Sequence, residues 1–329
     1  MIVAVIGTNA EMLRLHPVLE RLKDFSLILT GQNTVEAYGI QSNQIIQLEG
    51  FSKVGTSTLR GVWKFLSVKR NIAKALHELR PDLVVYQGDT VSTLAASLAA
   101  DAEDLPRAHV EAGFRSSSWR EPFPEELCRR WADDRSTMMF APSDDAFHNL
   151  QGRNVRKVGS TVWDNVNENA PRKPRRGDYA VMTAHRYENI LVRSRLKRVV
   201  AISKLPKLPL VWPMHEMTRV RLKDAGLLHG VEPVELMSYP EFMELVAGCA
   251  YVITDGGGLE DEASIMRKPC IVIRNRTERR EVQSRLVGLD TNRAEATIRK
   301  AESDPWTPPR YPYYFGTSPS DLISEAIQE

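Results

Sequence analysis

A chain of 329 residues exceeds what one hydrophobic core usually organises, so two domains of about 150 residues each are expected. Apolar residues make up 42% of the chain and charged residues 26%, a globular composition that argues against a disordered or fibrous protein. A formal net charge of +2, with both signs interspersed, gives no reason to expect nucleic acid or a membrane as a partner.

The N-terminal segment MIVAVIGTNAE has neither the basic lead nor the long apolar stretch of a signal peptide. No run approaches the roughly 18 apolar residues that a membrane span needs. The three cysteines, Cys128, Cys249 and Cys270, are far apart, and no CxxC or Cys/His spacing indicates zinc or a disulfide framework. These features predict a reducing, cytoplasmic location and no metal site.

Short β-branched runs alternate with amphipathic stretches as far as about Asp290, a pattern typical of βα units that feed a parallel sheet. The segment from Val62 to Leu79 has apolar residues at helical spacing and ends before Pro81, because proline disfavours helix in the residue before it. The strands expected in the first half are Ile2–Ile6, Ser26–Thr30, Asp82–Tyr86, Arg107–Val110 and Thr137–Ala141.

Residues 165–178, NVNENAPRKPRRGD, are rich in proline, charge and asparagine, which predicts an interdomain linker. We therefore expect one α/β domain over residues 1–168 and a second over residues 177–310. The tail, residues 311–329, ends in a short amphipathic helix that Ser318 or Ser320 could cap. The strands expected in the second half are Tyr179–Thr183, Pro209–Trp212, Val231–Val234, Tyr251–Thr254 and Cys270–Ile273.

Acidic residues follow several strands of the first half. In open parallel sheets the ligand lies beyond the carboxyl ends of the strands, and these junctions carry Asp89 in QGDTVS, Glu111 in HVEAGFRS and Glu125 in EPFPEELCRR. Acids collected at one rim are costly unless a cation, a ligand or shared protons relieve them, so the pattern indicates a catalytic site. Singly, Asp89 could cap the following helix, Glu111 could be a turn acid and Glu125 a favourable first-turn charge.

A glycine-rich junction, TDGGGLEDEAS at residues 254–264, predicts a phosphate cradle in the second half. A strand ends at Asp255, three glycines let the backbone approach a ligand, and a helix then begins with its free N–H groups exposed. The same glycines could instead form a plain tight turn. Cations that an anion needs follow the next strand, at Arg274, Arg276 and Arg279.

Two histidines also lie at strand ends. His185, in AHRYEN, is a candidate donor to a leaving phosphate, or else a helix-start residue with a satisfied imidazole. His215 lies at an equivalent junction and has at most a supporting role. The chain contains no GxxxxGK[ST] loop, and the residues after Gly7 do not form GxGxxG, so P-loop phosphoryl transfer and tight dinucleotide binding are not supported.

The order of the motifs GDT, HVEAGxRS, PFPEExxR, HRxEN, TDxGG and TERxE resembles the non-hydrolysing UDP-N-acetylglucosamine 2-epimerases, nearly end to end. The resemblance implies two Rossmann-like domains of the glycosyltransferase-B type that face a cleft, with the last helix crossing back to the N-terminal domain. It also implies a homodimer, a UDP-sugar substrate and no external cofactor.

In that family a base removes the proton at C2 of the sugar while UDP leaves C1, and UDP is re-added after reprotonation on the opposite face. The resemblance assigns the acid–base chemistry to Asp89, Glu111 and Glu125, with His185 steadying the departing diphosphate. The substrate-binding residues that it implies are Arg14, Arg129, Phe242 against uracil, Glu262 on the ribose, and Gly256, Gly257, Gly258 and Arg279 around the phosphates.

The chain departs from the family pattern mainly in its phosphate-binding motifs. GTRPE has become GTNAE, although Arg14 keeps a cation at the family's lysine position, and TDSGG has lost a serine hydroxyl at Gly256. Asn33 and the segment PMHEMT replace groups of a regulatory second substrate site known in some members. Because the acids are retained, epimerisation at C2 is favoured; a hydrolysing epimerase, a glycosyltransferase and a nucleotide-sugar sensor are the alternatives.

Overall fold

The structure is a computed structural model that describes residues 1–31, 41–48, 59–116, 124–174 and 176–329. The chain divides into two compact units. The first unit contains Met1–Asn165 together with Tyr313–Glu329, and the second contains Val166–Pro312.

The described strands of the first unit form one parallel sheet in the order β3-β2-β1-β4-β5-β6-β7. The strand order therefore reverses between β1 and β4, and ligands bind at such a switch point in open parallel sheets. The strands are β1 (Ile2–Ile6), β2 (Phe25–Leu29), β3 (Ile45–Gln47), β4 (Leu83–Gln87), β5 (Arg107–Val110), β6 (Met138–Ala141) and β7 (Val155–Lys157). The helices are α1 (Asn9–Leu19), α2 (Leu59–Leu79), α3 (Val91–Ala102), α4 (Glu125–Arg135), α5 (Asp144–His148), α6 (Val162–Asn169), which runs on into the second unit, and, after the second unit, α13 (Pro319–Gln328).

The second unit repeats this plan with a parallel sheet in the order β10-β9-β8-β11-β12-β13. Its reversal lies between β8 and β11. The strands are β8 (Ala180–Thr183), β9 (Leu210–Pro213), β10 (Pro233–Val234), β11 (Tyr251–Thr254), β12 (Cys270–Val272) and β13 (Arg285–Leu286). The helices are α7 (Tyr187–Ile190), α8 (Arg193–Ser203), α9 (Glu216–Asp224), α10 (Tyr239–Gly248), α11 (Gly257–Ile265) and α12 (Thr291–Ser303).

Each sheet is covered by helices on both faces, which explains why a central strand such as β1 is continuously apolar. Alternate residues of β1 enter opposite cores: Ala4 and Ile6 pack with α1 and α13, whereas Val3 and Val5 pack with α2 and α3. In the second unit Ile253 packs on the α8 and α12 side. Among the described helices, none is both long and apolar enough to cross a membrane.

Several sequence-based expectations need correction. The predicted linker begins inside helix α6, so its first residues are helical. Ser318, not Ser320, caps the last helix, because its hydroxyl accepts from the backbone N–H of Asp321. The helix expected from Val62 begins at Leu59. The edge strands β3, β7 and β13 were not predicted, and other strand ends differ by one or two residues.

Candidate functional site

A buried glutamate, Glu11, lies where the strand order of the first sheet reverses, between β1 and β4. The sequence motifs did not predict a role for it. Its carboxylate accepts from the backbone N–H groups of Gly7 and Thr8, both at 2.7 Å, and from the Thr93 hydroxyl at 2.8 Å. Burial raises the pKa of Glu11, while these donors oppose the rise. The capping-box spacing of Thr8 and Glu11 was the available sequence signal.

Asp89 lies in the turn after β4, beside the reversal. Its carboxylate forms an ion pair with Arg129 of α4, a side chain that is only 4% exposed. A buried guanidinium therefore fixes the position of this predicted catalytic acid. Arg129 also lies 3.3 Å from the carboxylate of Glu126, a fully buried residue that accepts from the Ser116 backbone N–H.

Glu111 directly follows β5, the strand next to β4. Its backbone is left-handed, with φ of 63°, a conformation that costs a non-glycine residue about 1–2 kcal/mol. The side chain pairs with Arg14 of α1 and accepts from the Gln87 amide at the end of β4. The predicted phosphate ligand Arg14 is thus engaged with a predicted catalytic acid.

Glu125 is the first residue of α4 and is half-buried. Cys128 lies one turn along the same helix. Burial raises the pKa of its thiol to about 12, and the negative charges of Asp89 and Glu125 contribute to this rise. The carboxylates of Asp89 and Glu125 therefore both lie close enough to Cys128 to act on the same thiol. The structure places the three predicted acids at the carboxyl ends of β4 and β5 and at the start of α4.

Beneath this edge lies a buried histidine that the motif analysis missed. His109 approaches the Asp133 carboxylate at 2.8 Å through Nδ1 and the Gly88 carbonyl oxygen at 2.8 Å through Nε2. Arg115 lies 2.6 Å from the other Asp133 oxygen. Burial alone would raise the pKa of Asp133. The hydrogen bond from His109 and the charges of His109 and Arg115 outweigh burial, so the pKa of Asp133 is lowered.

In the second unit the reversal is organised by Asp255, which is fully buried at the end of β11. Its carboxylate accepts from the backbone N–H groups of His185 at 3.1 Å and Arg186 at 3.1 Å, and from the Asn189 side chain at 3.0 Å. The HRYEN motif is thus a turn wrapped around one carboxylate. It holds the His185 imidazole at 42% exposure, with His215 at 4.9 Å between ring centroids.

His185 and His215 are both partly exposed. Burial, followed by the nearby His185, lowers the pKa of His215. The neutral form of His215 is therefore favoured beside His185.

The three glycines of TDGGG start helix α11, as predicted. Gly256 is its N-cap and has extended backbone, and among the described residues no side-chain hydrogen bond caps the helix there. A Cβ at Gly256 would lie 3.1 Å from His185 Cε1, and one at Gly257 would lie 3.0 Å from Glu278 Oε1. The helix start therefore lies against His185 and the TERRE segment.

Arg279 is held next to these glycines. Its Nε donates to the Gly257 carbonyl oxygen at 3.1 Å, and the guanidinium pairs with Asp261 of α11. Glu278, which sequence reasoning missed, lies 3.1 Å from Arg274 and 3.9 Å from Arg186. The predicted cation and the predicted glycines are thus brought together.

The predicted uracil and ribose ligands come from neighbouring helices. Glu262 of α11 is 6% exposed and accepts from the Tyr239 hydroxyl at 3.2 Å. Phe242 lies one turn after Tyr239 on α10 and packs partly buried against the core. Because residues three apart share a helix face, Phe242 lies on the same side of α10 as Tyr239, whose hydroxyl donates to Glu262.

Comparison with known proteins agrees with this architecture. A family model described as UDP-N-acetylglucosamine 2-epimerase matches residues 19–327. The UDP-N-acetylglucosamine 2-epimerase of Methanocaldococcus jannaschii is 30% identical over 312 residues, which cover 84% of this chain and 84% of that protein.

Solved structures give the same result. The crystal structure of the Methanocaldococcus jannaschii UDP-GlcNAc 2-epimerase in complex with UDP-GlcNAc and UDP matches with a TM-score of 0.87 and 27% identity, over 100% of both chains. A calicheamicin glycosyltransferase matches with a TM-score of 0.56 and 13% identity over 99% of this chain and 97% of its own, a likeness of fold alone. The expected pair of Rossmann-like domains is confirmed.

Proposed function

Because the chain belongs to the UDP-N-acetylglucosamine 2-epimerase family, we propose that it interconverts UDP-N-acetylglucosamine and UDP-N-acetylmannosamine. The observation that carries the proposal is the set of motif carboxylates at one edge of the first sheet. Asp89 and Glu111 follow adjacent strands, and each is fixed by an arginine, Arg129 or Arg14. Such fixed carboxylates suit proton transfer at a defined carbon atom.

The proposed reaction uses the acids of the first unit. The C2 proton is weakly acidic, so its removal requires a base within hydrogen-bond reach. One carboxylate takes this proton while the bond between C1 and the diphosphate oxygen breaks, which gives 2-acetamidoglucal and UDP. Protonation of C2 on the opposite face and re-addition of UDP at C1 give the epimer. We assign these proton transfers to Asp89, Glu111 and Glu125.

The second unit is proposed to bind the UDP moiety. The start of α11, at Gly256, Gly257 and Gly258, suits a diphosphate, because helix N-termini attract anions. We assign the N–H groups of Gly257 and Gly258 to the phosphates, since the Gly256 N–H already donates to the Thr254 hydroxyl at 2.9 Å. Arg279 and the part-exposed His185 add positive or donor groups beside them. We assign Glu262 to the ribose hydroxyls and Phe242 to uracil.

Three further features belong to the proposal. The reaction moves protons and a leaving group but no net electrons, so we propose that it needs no cofactor. We propose a cytoplasmic location, which suits the three free, buried cysteines. We propose a homodimer on the family resemblance alone; light scattering should give twice the chain mass, and a single-chain mass would contradict it.

Incubation of the purified protein with UDP-N-acetylglucosamine in heavy water tests the reaction. We expect deuterium at C2 of the sugar and accumulation of UDP-N-acetylmannosamine, both followed by NMR. Asp89→Asn should slow the exchange by about 100-fold or more, because it removes a proton-transfer group. Asp134→Asn is the matched control, since Asp134 is exposed on α4 and pairs with Arg153; it should exchange like the wild type.

The same experiment separates the alternatives. Free N-acetylmannosamine with UDP and deuterium at C2 would show the hydrolysing reaction. Sugar transfer to an acceptor without deuterium at C2 would show a glycosyltransferase. UDP-sugar binding without turnover, unchanged in Asp89→Asn, would show a sensor.

A further inference from the structure

A cavity of about 470 Å³ in the second unit is lined by four arginines. Arg195 and Arg198 come from α8, Arg274 follows β12, and Arg293 lies near the start of α12. Arg274, which the sequence suggested as a cation for the phosphate cradle, lines this cavity. The residues assigned to UDP under the proposed function are absent from its described lining, so the cavity and the proposed nucleotide site are formed by different side chains.

The charge in this arginine cavity is poorly balanced by the protein. Asp290 is the one acidic residue among its described lining, and it is already used as the N-cap of α12, where it accepts from the backbone N–H groups of Asn292 and Arg293 at 2.9 and 3.1 Å. Within the described ranges, Arg195, Arg198 and Arg293 have no ion pair with a carboxylate. Several guanidinium groups thus share one concave surface without matching anions.

Buried nitrogen atoms strengthen this point. Arg274 is only 9% exposed, and although one of its nitrogens pairs with Glu278, Nη1 has no hydrogen-bond partner among the described residues. Arg195 donates to the Asn189 side chain at 3.0 Å, yet its buried Nε also lacks a partner there. Buried donors are normally satisfied, so these nitrogens point to an acceptor that comes from outside the chain.

We propose that the arginine cavity binds a small polyanion that carries two or more phosphate groups. A guanidinium group can donate two parallel N–H bonds to the oxygens of a phosphate group, so four guanidinium groups can bind two phosphate groups with two of them on each. The described lining contains no aromatic side chain, so it offers no stacking surface for a nucleobase. Inorganic pyrophosphate or a bisphosphorylated sugar therefore fits the cavity better than a nucleotide does.

Isothermal titration calorimetry with pyrophosphate, in the presence of saturating UDP, tests this proposal. The wild type should bind about one equivalent, with affinity that falls as sodium chloride rises, because salt screens exposed charges. The double variant Arg195→Gln/Arg293→Gln should bind about tenfold or more weakly, since it loses two charge-assisted hydrogen-bonding groups. The matched control is Arg299→Gln, an exposed α12 arginine paired with Glu295 outside the cavity, which should bind like the wild type.

Three results would overturn the proposal: no pyrophosphate binding by the wild type, binding that UDP abolishes, or wild-type affinity in the double variant. Arg198→Gln provides a second, singly substituted variant at an exposed position, should the double variant fail to fold. UDP affinity should be unchanged in Arg198→Gln and in Arg299→Gln. The outcome is therefore independent of the C2 exchange that tests the proposed function.

Discussion

At the scale of single residues, Glu260 makes stability depend on pH. Burial raises its pKa to about 7 from the ordinary 4.5, despite hydroxyl donors from Thr277 and Ser284. The folded chain thus binds this proton more tightly than the unfolded chain, so the stabilisation is complete below pH 4.5 and is lost as pH rises through about 7. In the wild type, this effect should lower the free energy of unfolding by up to about 3 kcal/mol between pH 5 and pH 8. Glu260→Gln should abolish this decrease, as measured by urea unfolding at both pH values.

The control for this prediction is Glu295→Gln, an exposed side chain of α12 that is paired with Arg299. It should keep the pH dependence of the wild type. A Glu260→Gln variant that loses as much stability between pH 5 and pH 8 as the wild type does would show that Glu260 is not the group responsible.

His109 contacts the carbonyl oxygen of Gly88, the residue before Asp89, and we expect this contact to hold Asp89 in position. The ring nitrogens of His109 lie 2.8 Å from the Asp133 carboxylate and 2.8 Å from the Gly88 carbonyl oxygen, so the ring links α4 to the turn that carries Asp89. His109→Gln should therefore release the turn that carries Asp89 and lower kcat about tenfold to 100-fold, with a smaller change in KM. His148→Gln, an exposed substitution on α5, is the control in the same steady-state assay. An unchanged kcat in His109→Gln would contradict the positioning role.

At the scale of elements, the start of α11 is where we propose that the diphosphate of UDP is bound. Gly256 has extended backbone that serine can adopt, and the new side chain needs only a small shift of the part-exposed His185. Gly256→Ser should add a hydroxyl donor and tighten UDP binding about two- to tenfold in calorimetry. Gly257→Ala should weaken it, because its Cβ would crowd Glu278 at 3.0 Å and Arg279 at 3.4 Å. The reverse order of affinities would reject this account.

The elements also show how far sequence patterns reach. Short apolar runs bounded by turn residues located β1 and β11 to the residue, because central parallel strands are buried on both faces. The bounds of β5 were also predicted to the residue, although this strand contains Arg107 and His109. The edge strands β3 and β13 have three and two residues, too few to show a period. In the site, the motifs predicted which acids follow strands. They could not predict that Arg14 reaches Glu111, because that contact joins residues 97 positions apart.

At the scale of the molecule, the final segment completes the first unit. Ile323 of α13 is fully buried with α1, and the Asp164 carboxylate accepts from the Ser320 backbone N–H at 2.8 Å. Ile323→Ala should cost about 2–5 kcal/mol. We propose that hydrogen-exchange mass spectrometry will show faster exchange in the first unit only. Ile298→Ala, at an equally buried position of the second unit, should show the opposite pattern; uniform loss across both units would contradict this division.

This return of the chain has a consequence for biosynthesis. Translation runs from the N-terminus, so α13 is made only after all of residues 166–312. Until then Met12, Leu15 and Val18 of α1 lack the apolar partners Ile323 and Ile327. While the second unit is being synthesised, this apolar surface of α1 therefore lacks its cover, and the first unit can be completed only after α13 has been made.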